Sequence, residues 1–121
     1  MTDSHPLRNK SFAFAVRIVN LYKYLCSSKQ EYVLSKQLLR SGTAIGALVR
    51  EAEQAESKAD FIHKLAIALK EANETEYWIL LLRETDYITL KESESILNDL
   101  TQLLKLLTSI IKTTKQKKHF S

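Results

Sequence analysis

The stretch Gln37-Leu-Leu-Arg-Ser-Gly-Thr-Ala-Ile-Gly-Ala-Leu-Val-Arg-Glu-Ala52 decides the fold, because its apolar residues have helical spacing although it holds both glycines of the chain. Gly42 and Gly46 lie four residues apart and therefore share one face of the predicted helix. Inside a helix, each glycine costs about 1 kcal/mol relative to alanine. A chain that uses glycine so rarely is expected to place both where another backbone comes close. The stretch therefore predicts close helix packing at these two positions.

The composition of the whole chain favours a few long helices. The 121 residues match the length of one domain, and they include only two glycines and one proline. A β or α/β fold needs many more turn-forming residues than this. We therefore predict an all-α fold in which a few long helices are joined by short connections.

Four segments with helical periodicity follow one another, at about residues 9–27, 32–56, 58–85 and 90–114. Ser57 with Asp60, and Thr89 with Glu92, have the spacing of helix N-caps at the start of the third and fourth segments. Short connections make successive helices antiparallel, which predicts an up-down-up-down four-helix bundle over residues 8–114. Residues 1–7 are predicted to be a flexible lead-in, and residues 115–121 a basic tail.

The first helix carries two apolar stripes, which exceeds what one core face requires. One stripe holds Phe12, Val16, Val19 and Cys26, and the other holds Phe14, Ile18, Leu21 and Leu25. Either the helix has a wide core face, or one stripe meets another subunit, and the sequence leaves both open. Tyr77 and Trp78 in the third helix pose the same choice between core packing and a subunit interface.

Polar residues on the second and third helices predict a pairing between them. If the two helices fold back on each other, Arg40 lies level with Glu74 and within a turn of Asn73 and Glu76. A carboxylate that borders a buried stripe needs a partner. We predict an Arg40–Glu76 pair, supported by Gln37 and Asn73, that fixes the helix register. A ligand or nucleic-acid contact by these groups is the alternative.

The sequence lacks the patterns of the common catalytic and metal sites. Its histidines, His5, His63 and His119, are scattered, and Cys26 is the single cysteine. A zinc site needs about four converging ligands, and a di-iron bundle needs Glu-x-x-His motifs, which do not occur. No Gly-rich phosphate loop and no recognisable nucleophile with a paired base is present. We therefore predict a protein that is not an enzyme and holds no metal or cofactor.

The formal charge of +4 is a weak indication of nucleic-acid binding. Candidate contacts to RNA or DNA are Arg17, Lys23, Arg40, Arg50, Lys112, Lys115, Lys117 and Lys118. These charges could equally be solvated and inert, and the competing interpretation is a protein-interaction scaffold without nucleic-acid affinity. One cysteine, no signal peptide and no apolar run of about 20 residues predict a cytoplasmic protein without a membrane span.

The segment Leu34–Ala52 resembles the pattern Leu-x-x-Gln-x-x-Arg-(Ala/Ser)-x-x-Ser-Ile-x-x-Asn-Ile-x-Glu-(Gly/Ala) of the four-helix proteins encoded by intervening sequences in bacterial 23S ribosomal RNA genes. The resemblance continues through Ser57–Ala68, Glu71–Glu76 and Asp86–Ile88, and covers about residues 11–112. It implies an antiparallel bundle that assembles as a ring-like homopentamer and has no known enzymatic activity. A related accessory protein of diversity-generating retroelements binds nucleic acid and a reverse transcriptase, which implies RNA or DNA and a protein partner as candidates.

This chain departs from the family pattern at two positions of the second helix. Leu48 stands where the family usually has asparagine, and Ala44 stands where serine is common. If the family's polar residues make contacts across helices or to a ligand, this protein lacks those contacts. The second helix is then expected to be more apolar at these positions and purely structural there.

Overall fold

Four long helices account for most of residues 5–117, which are the residues that the structure, a computed structural model, describes. The helices are α1 Pro6–Lys29, α2 Leu34–Ala52, α3 Lys58–Glu84 and α4 Leu90–Gln116. Within the described residues, each helix packs against its two neighbours in the order α1–α2–α3–α4–α1, and the backbones of diagonal helices stay apart. This arrangement confirms the predicted all-α, antiparallel up-down-up-down four-helix bundle.

The helix starts follow from capping chemistry. The Ser57 hydroxyl accepts a hydrogen bond from the backbone N–H of Asp60 at 3.0 Å. Thr89 and Glu92 form a full capping box, in which each side chain accepts from the backbone N–H of the other residue. Each cap satisfies N–H groups that have no partner inside the helix. Both predicted N-caps are therefore confirmed, and α3 and α4 begin where the sequence indicates.

The two chain ends are more helical than predicted. α1 begins at Pro6, because proline suits the first helical position, and the side chain of Leu7 is only 7% exposed. The predicted lead-in over residues 1–7 is therefore too long, and residues 1–4 lie outside the described part. At the other end, α4 continues through Lys115 to Gln116, so the predicted tail begins two residues too early. Residues 118–121 also lie outside the described part.

The second helix is shorter than the predicted span of residues 32–56. It begins at Leu34, because the carboxylate of Glu31 binds the backbone N–H groups of Val33, Leu34 and Ser35 and caps the helix from outside. It ends at Ala52, where tight turns lead to the Ser57 cap of α3. The predicted start at residue 32 is therefore two residues too early.

Both glycines lie where α2 packs against α1. A Cβ atom built on Gly42 would lie 2.8 Å from both Cγ1 and Cγ2 of Ile18, a distance that side chains do not tolerate. A Cβ atom built on Gly46 would lie 3.3 Å from the backbone carbonyl oxygen of Ser11. The absence of a side chain at Gly42 therefore sets how closely the two helices approach.

The core is a single apolar layer between the four helices. Its fully buried side chains include Ile18, Leu25, Leu38, Ile45, Leu65, Ile79, Leu82, Leu100, Leu103 and Leu107. In α2 and α4 the apolar residues are confined to one face, as in a typical surface helix. In α1 and α3 they extend around the helix.

Candidate nucleic-acid interface

The net positive charge of the chain comes from its C-terminal part. Of 18 lysines and arginines, five follow Asp99, whereas all 14 acidic residues lie at or before Asp99. The last part of α4 therefore carries only cations. A helix surface with one sign of charge attracts counter-ions of the opposite sign, and a polyanion is the strongest of these.

Four exposed lysines cluster at the C-terminal end of α4, and we call them the lysine stripe, defined as Lys105, Lys112 and Lys115 of the helix and Lys117 at its C-cap. Lys105 and Lys112 are seven residues apart, which places them on the same side of the helix at a rise of about 10 Å. The exposed hydroxyl residues Thr108, Ser109 and Thr113 lie between and beside them. Within residues 5–117, no acidic side chain forms a salt bridge with any of the four lysines.

Lys58, at the start of α3, extends this charge around the end of the bundle. Its ammonium group donates hydrogen bonds to the backbone carbonyl oxygens of Lys115 and Lys117. A cation at these carbonyls complements the negative end of the α4 dipole. Lys58 therefore stabilises the end of α4 and adds a positive charge beside the lysine stripe.

Sequence reasoning named Lys112, Lys115 and Lys117 but missed Lys105 and Lys58. Lys105 could have been found from its seven-residue spacing to Lys112 and from the lack of acids after Asp99. Lys58 contacts two residues that lie 57 and 59 positions further along the chain, and no local sequence pattern predicts this contact. Lys118, the last predicted contact, lies outside the described residues.

Arg17 does not contribute a free charge to such an interface. Its guanidinium lies on the seam between α1 and α4 and donates to Asp99 Oδ2 at 2.7 Å. It also donates to the side-chain and backbone oxygens of Ser95, at 2.6 and 3.2 Å. Asp99 neutralises the charge of Arg17, and the hydrogen bonds of its guanidinium link α1 to α4.

Arg40 pairs with Glu71 and Glu74. It donates to both carboxylate oxygens of Glu71 at 3.2 Å and to the carboxylate of Glu74, which also accepts from the Trp78 indole N–H at 3.1 Å. The Trp78 N–H and Arg40 hold the pKa of Glu74 below its usual range, although partial burial acts in the opposite direction. Hydrogen bonds from Arg40 to Glu71 and Glu74 likewise raise the pKa of the guanidinium.

This geometry corrects the predicted Arg40–Glu76 pair. Two residues turn an α-helix by about 200°, so Glu76 and Glu74 lie on opposite sides of α3. Gln37 and Asn73 are exposed and take no part in the pairing. The prediction of which residues lie level was correct for Glu74, but it did not fix the rotation of α3 about its axis.

A buried hydroxyl pair instead occupies the interior between α2 and α3. The hydroxyl oxygens of Ser41 and Thr75 lie 2.9 Å apart, and both side chains are fully buried. The Thr75 hydroxyl also lies 2.7 Å from the carbonyl oxygen of Glu71. A shift of one helix along the other would break the bond between the two buried hydroxyls and leave each with only a carbonyl oxygen of its own helix. This pair therefore serves the register role predicted for Arg40 and Glu76.

The other two predicted contacts lie elsewhere. Arg50 is exposed at the end of α2, and its guanidinium carbon lies 5.8 Å from the centroid of the Phe12 ring. Lys23 is exposed on α1. The predicted cations are therefore dispersed over the bundle, and only the α4 group is brought together.

Replacing Arg40 with methionine is expected to lower the free energy of unfolding by less than about 1 kcal/mol, because half-exposed ion pairs are screened by water. The Arg40 side chain is 50% exposed. Urea denaturation measures the loss, with Lys36→Met as a control for an exposed cation on the same helix. We expect the affinity for nucleic acid to stay within about twofold of wild type. A large loss of affinity at unchanged stability would instead restore Arg40 as a contact.

The part of the chain from residue 5 to residue 117 holds neither a metal centre nor a membrane span. No group of three histidine, cysteine, aspartate or glutamate residues there is placed to hold a metal ion. None of its helices combines the length and the apolar character that crossing a bilayer demands.

The comparisons with known proteins agree with the fold. The model of the 23S rRNA-intervening sequence protein family matches residues 5–109, so three lysines of the lysine stripe lie beyond the match. A protein of unknown function from the S23 ribosomal protein family of Bacteroides thetaiotaomicron, with a crystal structure at 1.70 Å resolution, is 66% identical. The two structures superpose with a TM-score of 0.87 over 88% of this chain and 98% of that one. No functionally curated protein sequence matches the chain. The chain belongs to the 23S rRNA-intervening sequence protein family.

Proposed function

We propose that this protein is a non-enzymatic, self-associating cytoplasmic bundle that binds RNA or DNA through the lysine stripe of α4. The observation that carries the proposal is the absence of acidic residues after Asp99, combined with four exposed lysines that lack salt bridges among residues 5–117. Lysines that replace counter-ions on a phosphate backbone supply most of the affinity of non-specific binding.

The chemistry of the lysine stripe favours the backbone over the bases. Lysine, serine and threonine side chains bind phosphate oxygens, and such contacts carry no sequence information. Reading single-stranded bases requires aromatic side chains for stacking, and α4 contains none. The expected activity is therefore binding that depends strongly on salt and weakly on sequence.

Self-association would strengthen this binding. A net charge of +4 on one subunit is modest. In an assembly such as the homopentamer that the family resemblance implies, several lysine stripes could engage one nucleic acid, and the linked contacts raise the overall affinity. The proposal therefore expects the oligomer to bind more tightly than an isolated subunit.

A protein-interaction scaffold without nucleic-acid affinity is the second candidate. The pairing of Arg17 with Asp99 and of Arg40 with Glu71 and Glu74 favours it, because two predicted contacts are already neutralised. Salt dependence separates the candidates, since docking through apolar surface does not weaken steeply between low and moderate salt.

The triple variant Lys105→Gln, Lys112→Gln, Lys115→Gln tests the lysine stripe. We expect it to bind random-sequence RNA and duplex DNA at least about tenfold more weakly at low salt. On duplex DNA, the slope of log affinity against log salt is expected to fall by about 0.9 for each phosphate that the variant no longer neutralises. Fluorescence anisotropy of labelled nucleic acid at two salt concentrations measures both quantities.

The matched control replaces three exposed lysines of α2, α3 and α4 outside the stripe, as Lys36→Gln, Lys70→Gln, Lys91→Gln. It removes the same charge, so it separates a localised site from a general effect of net charge. The control should lose much less affinity than the stripe variant. Equal losses would contradict a localised site, and no binding by the wild-type protein at low salt would leave the scaffold as the better account.

A further inference from the structure

The seam between α1 and α4 is closed by polar bridges along part of its length. Arg17 binds Asp99 and Ser95, and two turns nearer the start of α1 the ammonium group of Lys10 donates to the side-chain oxygen of Gln102 at 3.2 Å. Because the two helices run antiparallel, the seam continues from these bridges toward the end of α1 and the start of α4.

Beyond Arg17 the seam opens into a cavity of about 430 Å³, which we call the seam cavity. Its walls include Leu21, Tyr24, Ile88, Lys91, Ser95 and Ile96. Ile88 and Ile96 are only 5% and 3% exposed, and Leu21 is half-buried, so the floor is apolar. The volume falls within the range of small-molecule sites, roughly 300–1,000 Å³, and such sites combine an apolar lining with a few polar groups.

The polar groups around the seam cavity are mainly hydrogen-bond donors. The ammonium group of Lys91 can only donate, and the amide of Asn20 offers two N–H groups beside one oxygen. Across residues 5–117 these two side chains form neither hydrogen bonds nor salt bridges. Arg17 has five N–H groups, and Asp99 and Ser95 accept three hydrogen bonds from them. Donors therefore remain for a ligand that supplies acceptors.

Glu92 is the acidic side chain among the described residues that line the seam cavity. Its carboxylate accepts from the backbone N–H of Thr89 at 2.9 Å. The hydrogen bonds from Thr89, together with the nearby charge of Lys29, hold the pKa of Glu92 below its usual range, although burial acts in the opposite direction. Lys29 also lies 6.0 Å from the centroid of the Tyr24 ring, at the rim. With Glu92 compensated, Lys91 and the positive end of the α4 dipole favour an anion.

We propose that the seam cavity binds a small amphipathic anion. An apolar body of aliphatic or aromatic carbon lies against Leu21, Ile88 and Ile96, and one carboxylate, sulfonate or phosphate group binds Lys91 at the rim. The lysine stripe begins at Lys105, about 21 Å further along α4, so this site is separate from it. The proposal therefore does not depend on nucleic-acid binding.

Titration with 8-anilinonaphthalene-1-sulfonate, an aromatic sulfonate whose fluorescence rises in apolar surroundings, tests the site. We expect saturable binding to the wild type. Asn20→Trp places an indole in the cavity from an exposed position and is expected to weaken binding at least about tenfold. Lys91→Gln removes a charge-assisted hydrogen bond and is expected to weaken binding by about three- to tenfold. Lys36→Gln removes the same charge from an exposed site on α2 and should stay within about twofold of wild type.

The charge of the ligand is tested by displacing the fluorescent sulfonate with two molecules of equal chain length. Dodecanoate is expected to displace it at a concentration at least about tenfold lower than dodecylamine, and Lys91→Gln should narrow the difference. Equal displacement by the acid and the amine would overturn the proposal, as would binding by the wild type that does not saturate.

The location of the bound sulfonate is tested on a second apolar surface. Phe12 is 59% exposed on α1 and does not line the seam cavity, so Phe12→Ser should bind as the wild type does. A loss of binding in Phe12→Ser, with none in Asn20→Trp, would contradict the proposal. Far-ultraviolet circular dichroism checks that each variant is folded, and Tyr24→Ala provides a second test of the rim if Asn20→Trp is not. The lysine-stripe triple variant should still bind the sulfonate, so this proposal and the nucleic-acid proposal can fail independently.

Discussion

Replacing Gly42 with valine is expected to lower the free energy of unfolding by about 3 kcal/mol, the upper range for an overpacked core. The first atom of any side chain there meets Cγ1 and Cγ2 of Ile18 at 2.8 Å. Ile18 is completely buried and branched at Cβ, so it has few rotamers with which to yield. Valine gains only a few tenths of a kcal/mol over glycine in helix propensity, which does not offset the overlap.

Urea denaturation followed by circular dichroism measures this loss, and Lys36→Val controls for valine at an exposed site of the same helix. The control should change stability by less than about 0.5 kcal/mol. The cause is tested by adding Ile18→Ala, which alone should cost about 2–5 kcal/mol by leaving a cavity. If the overlap is responsible, the double variant loses less than the sum of the single losses by roughly 1 kcal/mol. Additive losses would show that Gly42 matters for another reason.

The architecture could be predicted because its causes are local. Helix periodicity, the scarcity of glycine and proline, and the caps at Ser57 and Thr89 all act within a few residues. Because the connections are short, successive helices run antiparallel and pack as a bundle. The close approach at Gly42 also has a local signature. Two glycines on one face of a helix lower its stability, which is expected only where a neighbouring helix needs the space.

The partners across helices could not be predicted in the same way. Arg17 reaches Asp99 over 82 positions, and Lys58 reaches the end of α4 over nearly 60. Whether a cation is neutralised depends on how each helix is rotated about its axis. Core packing, including the burial of Thr75, fixes this rotation for α3. The same dependence explains why the sequence predicts Glu76, and not Glu71 or Glu74, as the partner of Arg40.

For a related reason, the sequence alone does not decide which of the two apolar stripes of α1 faces the core. Both stripes are apolar, and the positions of α2 and α4 determine that Phe14 and Ile18 are buried while Phe12 and Val16 are exposed. The charge of α4, by contrast, was visible in the sequence, because no acid follows Asp99. Candidate cations are therefore better ranked by the local absence of acids than by their number.

Replacing Glu31 with alanine is expected to lower the free energy of unfolding by about 2 kcal/mol, the upper end for removal of a helix cap. Its carboxylate accepts from the backbone N–H groups of Val33, Leu34 and Ser35 at 3.3, 2.8 and 2.7 Å. Glu31 is only 7% exposed, so water cannot readily replace these bonds. Glu31→Gln keeps the size and one acceptor oxygen, and should lose less stability than Glu31→Ala.

The same carboxylate predicts a dependence of stability on pH. Burial raises the pKa of Glu31, but the N–H groups of Leu34, Ser35 and Val33 together outweigh it and hold the pKa below its usual value. Since the folded state binds this proton less readily than the unfolded chain, the stabilisation is complete above the unfolded pKa of about 4.3 and disappears as pH falls through the folded value. Urea denaturation at a series of pH values should therefore show the stability of the wild type approaching that of Glu31→Gln between about pH 5 and pH 3. Glu56→Gln, at an exposed position of the α2–α3 turn, controls for the removal of one negative charge. A constant difference between wild type and Glu31→Gln across this range would mean that the charge of the carboxylate contributes nothing to the cap.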